Sequence, residues 1–404
     1  MNNHHHSPVG LSQFQERLAV FTLAAIQFTH MVDFVIIMPL GPQFMRVFSI
    51  GPAEFGFLVS SYTFSAGTFG LLGAFFVDKF DRKILLIFTY AGFSLGTFFC
   101  AIAPNFFFLL VARIVAGAFA GIVWSTILSV IGDIIPETRR GRATGTVMSA
   151  FSVASIVGIP LGLYLANSFG WAFSFYILSF FCLVILALSW YALPSVKEHI
   201  SKSDDLNPFQ SFLKVLQNPN HYKAFLFTTS LMFAGFSVIP YISPYMVANV
   251  KILETDLPYI YFFGGIFTFF TSQLIGRLAD KFGKALLFKI VATLSMIPIY
   301  FITNLKEISL FLAVSITTIF MIFVSGRFVP ALALINSAAD PKYRGSFMSV
   351  NSAIQQLAAG LASSIAGFII ATGQNGVLMN YEKVGYLSIC ATILSLFIAG
   401  RIKK

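Results

Sequence analysis

The chain has 404 residues, of which 57% are hydrophobic and only 10% charged, against roughly a quarter charged in an average soluble domain. That composition excludes a water-soluble fold, because no globular core hides so much apolar surface, and it predicts a chain whose solvent is lipid. A formal net charge of +10 would suggest nucleic acid in a soluble protein, but between apolar segments basic residues orient loops, so no nucleic-acid partner is expected.

From the amino terminus, residues 1–17 carry no basic region followed by a short apolar run and a small-residue cleavage site, so no secretory signal is expected and the first apolar segment should remain as a helix. His4, His5 and His6 make no defined metal site and read as part of a disordered or added tail. Apolar segments follow at about 18–40, 53–76, 84–103, 106–131, 145–166 and 171–193, each suited to crossing a hydrocarbon core of about 30 Å as a helix. The pattern breaks at 194–220, a polar linker with Lys197, Glu198, Lys202, Asp204, Asp205 and Asn207, in which a short amphipathic helix is predicted at about 209–216. Six more apolar segments lie at about 222–249, 258–279, 285–303, 308–335, 346–371 and 382–400. The predicted fold is an all-α polytopic membrane protein of twelve transmembrane helices: a tail (1–17), a six-helix bundle (18–193), a linker (194–220) and a second six-helix bundle (221–404).

Of the 26 Lys and Arg, Arg113 and Arg327 fall inside apolar segments; counting crossings assigns 20 to one side and four (Arg46, Lys251, Lys306, Lys383) to the other. This bias predicts two cytoplasmic termini, an even number of spans and an inner-membrane location in a bacterium. The 48 Phe suit lipid-facing surfaces and helix packing. Cys100, Cys182 and Cys390 lie far apart in apolar segments, without metal or disulfide spacing, and read as buried inert thiols.

The two halves repeat. Asp78-Lys79-Phe80-Asp81-Arg82-Lys83 follows the second segment and Asp280-Lys281-Phe282-Gly283-Lys284 the eighth, an offset of 202 residues. Pro136-Glu137-Thr138-Arg139-Arg140-Gly141 follows the fourth and Pro341-Lys342-Tyr343-Arg344-Gly345 the tenth, at about the same offset. A same-orientation repeat implies two bundles related by an axis along the membrane normal, with a substrate site between them near the midplane.

On these motifs the chain resembles the major facilitator superfamily over essentially its whole length. The signature loop of that family, Gly-x-x-x-Asp-Arg/Lys-x-Gly-x-Arg/Lys, is matched closely from Gly276 to Lys284. In the first half Ala74 replaces the leading Gly and Asp81 the second, so that turn should be less permissive in φ. The resemblance implies a cytoplasmic gate of Asp78 and Arg82, with Asp133 as a further partner and Asp280 in the second half, holding the two halves together in the outward-facing state. The alternative is that these charges only set topology. Arg113-Ile114-Val115-Ala116-Gly117 is similar to the Arg-x-x-Gln/Ala-Gly element of proton-coupled members. Gly158-Ile159-Pro160-Leu161-Gly162 is similar to the Gly-Pro-rich antiporter motif, departing from it by Ile159 and by Ala154 or Ser155 where a leading Gly is expected. Close helix packing at the small residues and a kink at Pro160 form the competing reading of that motif.

Charges at membrane depth are costly, which makes Asp33, Arg113 and Arg327 functional candidates. Asp33 lies about 15 residues into the first helix and Arg113 about seven into the fourth from the other side, so at a rise of 1.5 Å per residue they share a depth and are expected to meet across the cavity. The superfamily lines its central path with the first, fourth, seventh and tenth helices, and that resemblance implies the pairing of Asp33 with Arg113; Asp33 is the expected proton carrier. The opening of the cavity would change the balance between burial and pairing. His30, one helical turn away, is the candidate relay. A permanently paired ion and a hydrogen-bonded lining histidine are the alternatives. Arg327 either binds an anionic substrate group or pairs with the carbonyls of a kink near Pro330. Gln27, Trp124, Phe236, Tyr241, Tyr245, Asn351, Gln355 and Gln356 complete the candidate cavity, toward which Pro240 and Pro244 should release carbonyls. Such a lining suits a moderately apolar, aromatic or cationic solute.

No Gly-x-x-x-x-Gly-Lys-Ser/Thr loop, Cys/His ligand cluster or nucleophile-base set appears, so no ATP, metal, cofactor or enzymatic chemistry is expected. The expected function is a monomeric, proton-coupled exporter of a small solute, resembling the drug:proton antiporter branch and its arabinose-efflux-permease-like group. Its rivals are a proton symporter importing a sugar, amino acid or organic acid, and a facilitator or non-transporting receptor. Fold does not fix substrate.

Overall fold

The structure, a computed structural model, describes residues 12–196 and 208–402. His4 to His6, the polar centre of the linker and the side chain of Asp78 lie outside the described set. Among the described residues twelve helices are long and apolar enough to cross a membrane. They are α1 (Gln13–Ile36), α2 (Pro52–Gly73), α3 (Arg82–Ala101), α4 (Phe106–Ile134), α5 (Glu137–Phe169), α6 (Trp171–Ala192), α7 (Pro219–Ala248), α8 (Glu254–Phe282), α9 (Lys284–Thr303), α10 (Leu310–Ala338), α11 (Arg344–Ile369) and α12 (Tyr381–Ala399). The ends agree with the apolar segments to within a few residues, except that α5 starts earlier, because its polar first turns with Arg139, Arg140 and Arg142 remain helical beyond the apolar run. The amphipathic linker helix spans Pro208–Gln217.

Helix starts follow local chemistry. Ser12 and Gln15 form a capping box at α1, and Asn105 caps α4 through the Phe108 N–H. Asp81 caps α3 by accepting from the Lys83 N–H at 2.8 Å. Burial of Asp81 pushes its carboxyl up, but bonds from Ser195 and from backbone N–H groups outweigh that and hold it below the usual carboxylate value. Its backbone sits at φ −55°, whereas Gly283, at the equivalent place in the second half, sits at φ +95°. The turn lacking glycine has therefore exchanged a left-handed conformation for a side-chain cap.

The twelve spans of the described residues put the start of α1 and the end of α12 on one face, the terminal face, opposite a far face. Toward the far face one hydrophobic core draws on both halves, with Ile36, Leu40, Phe44 and Phe55 packed together with Val238, Tyr241, Met246 and Ile260. Toward the terminal face the core divides. One part comes from the first half alone, including Leu23, Tyr90, Val123 and Val147. The other comes from the second half, including Phe227, Phe288, Leu334 and Phe347, with Leu71 of α2 at its edge. Small residues let the halves touch: a side chain at Gly67 of α2 would meet the Ala353 carbonyl of α11, and one at Gly265 of α8 the Ser155 carbonyl of α5.

Aromatic and aliphatic side chains such as Phe180, Phe270, Phe311 and Phe397 cover the outward surface, as lipid exposure requires. Cys100 and Cys182 are buried, but Cys390 is exposed, a departure from expectation. Its helix, α12, turns one face to the outside, and an apolar run does not reveal which face that is.

Candidate functional site

Asp33 of α1 and Arg113 of α4 do meet, inside the first bundle and not across a cavity between halves. Arg113 Nη1 donates to Asp33 Oδ2 at 2.8 Å and to the Asp33 carbonyl at 3.3 Å, while Thr97 of α3 donates to Asp33 Oδ1 at 3.1 Å. Both side chains are completely buried. The guanidinium lies 4.2 Å from the ring centroid of Tyr62 on α2, a cation–π contact. The small residues of the Arg113 to Gly117 element explain this focus. A side chain at Gly117 would strike the Tyr62 backbone, and one at Gly96 would strike Ala116, so α2, α3 and α4 approach closely and aim their polar groups at one point.

A path leads from this pair to the other half. Tyr62 stacks on Phe34 with centroids 5.5 Å apart, and Phe34 lies 6.0 Å from Phe236 of α7. Successive residues on a helix point about 100° apart, so Asp33 faces its own bundle while Phe34 faces the partner bundle. Phe34, Tyr62 and Thr97 are functional candidates that sequence reasoning did not single out; an aromatic among 48 Phe and 14 Tyr gives no signal of its own.

His30 is buried, with its ring edge-on to Phe93 at 5.8 Å and its Nδ1 without a partner among the described residues. Gln27 is buried, and its Oε1 has no partner among the described residues. Trp124 and Gln355 are half-buried. Asn351 of α11 accepts from Thr228 of α7 at 2.7 Å. Tyr241 does not line an open space: its hydroxyl lies 3.2 Å from the Pro52 carbonyl and 2.9 Å from that of Ser363, tying α7 to α2 and α11. Tyr245 donates to the Leu305 carbonyl at 2.8 Å and packs on Tyr381. The Pro-rich end of α7 is indeed broken at Ile239–Tyr241. Beside the break, α12 braces α7, where Tyr381 donates to the Val238 carbonyl at 2.9 Å and Ser388 to the Ala234 carbonyl.

Arg327 interrupts α10. Its Nη1 donates to Ser295 of α9 at 3.2 Å and to Thr392 of α12 at 3.0 Å, so its partners are hydroxyls and not the carbonyls of a kink. Gly158 and Gly162 pack against α1, where added side chains would meet Val32 and Ile36, and a short π-helical segment, Ala154–Gly158, precedes Pro160.

At the terminal face Arg82 pairs with Asp133 at 3.0 Å, the expected partnership, but both belong to the first half and the contact joins α3 to α4. Asp280 is exposed. Among the described residues, polar contacts join the halves within the membrane region, where Ser364 of α11 donates to Ser60 of α2 at 2.9 Å, and on the far face. Arg46, in the short helix Gly41–Val47, forms a two-pronged pair with Glu254 at the start of α8, one prong at 3.0 Å. Those bonds push the Arg46 guanidinium further above its ordinary value. Asn167 donates to the Glu254 carbonyl at 2.9 Å and accepts from Gln43 at 2.8 Å. Arg46 had seemed only a topological charge, since nothing local connects it to a carboxylate 208 residues away.

Two like-oriented six-helix bundles with a buried α1–α4 ion pair are one arrangement among known transporter folds, and the sequence pattern of the Major Facilitator Superfamily matches residues 23–374. The chain belongs to that superfamily. Members are secondary transporters that work by alternating access, and they are not enzymes. The chain is 24% identical over 91% of its length to the uncharacterised MFS-type transporter YceJ of Bacillus subtilis, covering 93% of that protein. It is 25% identical over 66% of its length, and 66% of the relative's, to a Helicobacter pylori protein named "Probable sugar efflux transporter". Among solved structures, a D-xylose-proton symporter superposes with TM-score 0.75 at 16% identity, covering 95% of this chain and 97% of that one. A bacterial homologue of the human lysosomal transporter Spinster, in an inward-facing occupied conformation, superposes with TM-score 0.75 at 15% identity, covering 97% and 98%. At these identities the likeness to solved structures concerns the fold.

Proposed function

We propose that this superfamily member is a proton-coupled exporter of a small, partly apolar solute from a bacterial cytoplasm, with both termini cytoplasmic and Asp33 as the proton carrier. The observation that carries the reading is the completely buried Asp33–Arg113 pair. Asp33 is the one carboxylate of the described residues that is completely buried; Glu16 and Asp81, the others that are buried, retain some exposure and stand at helix starts. Protonating Asp33 removes the charge that holds Arg113, and Arg113 rests on Tyr62, which touches Phe34 and through it Phe236 of the other half. A proton at Asp33 is thereby converted into altered packing between the bundles, a contiguous route for coupling. The seal at the far face and the divided core at the terminal face suit a carrier that receives solute from the terminal side. The α5 motif and the sugar-efflux name of a relative favour export.

The test is flux in proteoliposomes under an imposed pH gradient. Solute driven against the proton flux is the expected result; solute moving with the protons would make the chain a symporter. Accumulation that ignores the gradient would remove the proton altogether.

A further inference from the structure

We propose that the second half contains an anion-binding site at Arg327, which takes a carboxylate or a small inorganic anion. The guanidinium is 1% exposed and cannot shed its charge in a protein. Its Nη1 is satisfied by Ser295 and Thr392, but Nε and Nη2 have no hydrogen-bond partner among the described residues. Buried charges are paired, because isolating one in a low-dielectric interior costs several kcal/mol. Arg113 in the first half obeys that rule through Asp33. Arg327 has no such acid: the carboxylates of the second half, Glu254, Asp256, Asp280, Glu307, Asp340 and Glu382, all stand at helix ends or in loops. The missing counter-charge must come from outside the chain.

Gly235 of α7 faces the unpartnered nitrogen: a Cβ built there would make ordinary contacts with Ile239 at 3.6 Å and with Arg327 Nη2 at 3.9 Å, so a side chain at this position can reach the guanidinium without a clash. The hydroxyls of Ser295 and Thr392 accept from Nη1 and donate to the Ala292 and Ser388 carbonyls, so an anion would rest on the guanidinium, whose edge offers two parallel donors that fit a carboxylate. Gly235 precedes Phe236, whose ring reaches Phe34 across the junction of the halves, so Arg327 lies against the segment of α7 that contacts the first half. The anion is therefore either the carboxylate of the transported solute or a resident inorganic ion. The inference deepens the transporter reading, but its test uses no gradient and no flux, so it fails independently of proton coupling.

The experiment is binding and thermal unfolding of the full chain in phosphatidylcholine nanodiscs, in gluconate buffer at constant ionic strength, with chloride, nitrate, acetate and benzoate as probes. Saturable stabilisation and binding of radiolabelled chloride are expected. Arg327→Gln should weaken binding by about tenfold to a hundredfold, the worth of a charge-assisted hydrogen bond. Because Arg327→Gln removes two hydroxyl contacts and can misfold, Gly235→Asp provides the second arm. It places a carboxylate within reach of Nη2, so the variant should melt higher than the parent in gluconate and no longer respond to chloride. Benzoate binding in competition with chloride identifies a solute carboxylate as the source, and binding of chloride without benzoate a resident ion; both carry the proposal. No saturable anion effect in the parent chain, or an unchanged chloride response in Gly235→Asp, overturns it.

Discussion

Replacing Asp33 by Asn separates the structural and the coupling roles of the buried pair. Asn keeps an acceptor for the Thr97 hydroxyl, which sits 3.1 Å from Asp33 Oδ1, so the loss is confined to the charge that Arg113 Nη1 meets at 2.8 Å. Since both partners are completely buried, no solvent screens the change. Removing one member of a buried pair costs about 3–5 kcal/mol, mainly because the other is left uncompensated. Arg113→Met alone should cost a similar amount, while the double variant, which leaves no buried charge, should fall within about 1 kcal/mol of the parent. The cycle then returns a coupling of about 5 kcal/mol or more, over a thousandfold in the folded-to-unfolded ratio. Chemical unfolding in nanodiscs measures stability, and flux on the same preparations measures transport. The decisive species is the double variant: stable, yet unable to accumulate solute against a gradient if Asp33 carries the proton. Additive losses of stability would refute the pairing argument. Full gradient-driven accumulation by Asp33→Asn would move the proton site elsewhere, with His30 next.

Cysteine labelling in intact cells should modify positions beside Lys251 and Lys383 from outside and spare those beside Arg140 and Lys284; external labelling at Arg140 would reverse the proposed orientation. Glu254→Gln should loosen the far face only slightly, by less than about 1 kcal/mol, because the Arg46 side chain is 63% exposed and solvent weakens the pair. Tyr241→Phe removes a buried hydroxyl bonded to the Pro52 and Ser363 carbonyls and should cost about 0.5–1.5 kcal/mol, raising the far-open population by about two- to tenfold in spin-label distance measurements across that face. Unchanged distances would show that apolar packing alone seals it. Gly283→Ala forces a side chain into φ +95° and should destabilise by about 1–3 kcal/mol, whereas Asp81→Ala, at φ −55°, should lose no backbone fit but only the cap and the bond from Ser195; Gly283→Asn, which tolerates positive φ, should cost less than Gly283→Ala, and equal losses of those two in thermal unfolding would contradict the assignment of the turn.

The spans, their number and the repeat were legible because lipid imposes them through long apolar runs, and the superfamily signature was legible in the loop from Gly276 to Lys284. The depth of Asp33 and Arg113 followed from counting residues, and their meeting was correctly expected. Their direction was not, since Asp33 and Phe34 differ by one position in the chain and by about 100° around the helix. An apolar run with little moment gives no way to tell an inward face from a cavity face, which is also why Cys390 was misplaced. The Arg46–Glu254 latch and the Tyr241 seal were illegible for another reason: they join residues 208 and 189 positions apart, on loops and helix ends that only the packing of two bundles brings together.

The two halves descend from one pattern but balance their buried arginines differently, and this asymmetry bears on the kind of solute that fits. Both guanidiniums keep Nε and Nη2 without a partner among the described residues, but Arg113 is neutralised inside its bundle by an acid that can take a proton, whereas Arg327 is held by two hydroxyls with no acid beside it. The aromatic contacts Tyr62–Phe34–Phe236 run from the first arginine to α7, and Gly235 on the same turn faces the second. A change at either arginine is thus transmitted to the same segment of α7, next to the break at Ile239–Tyr241 that already interrupts the helix. A broken helix bends at lower cost than a continuous one. An anion arriving at Arg327 and a proton arriving at Asp33 would then act on one hinge, and linkage requires that each change the affinity for the other by the same factor. Anion affinity should accordingly vary with pH in the parent chain and lose that dependence in Asp33→Asn; a pH dependence that survives the substitution would separate the two sites.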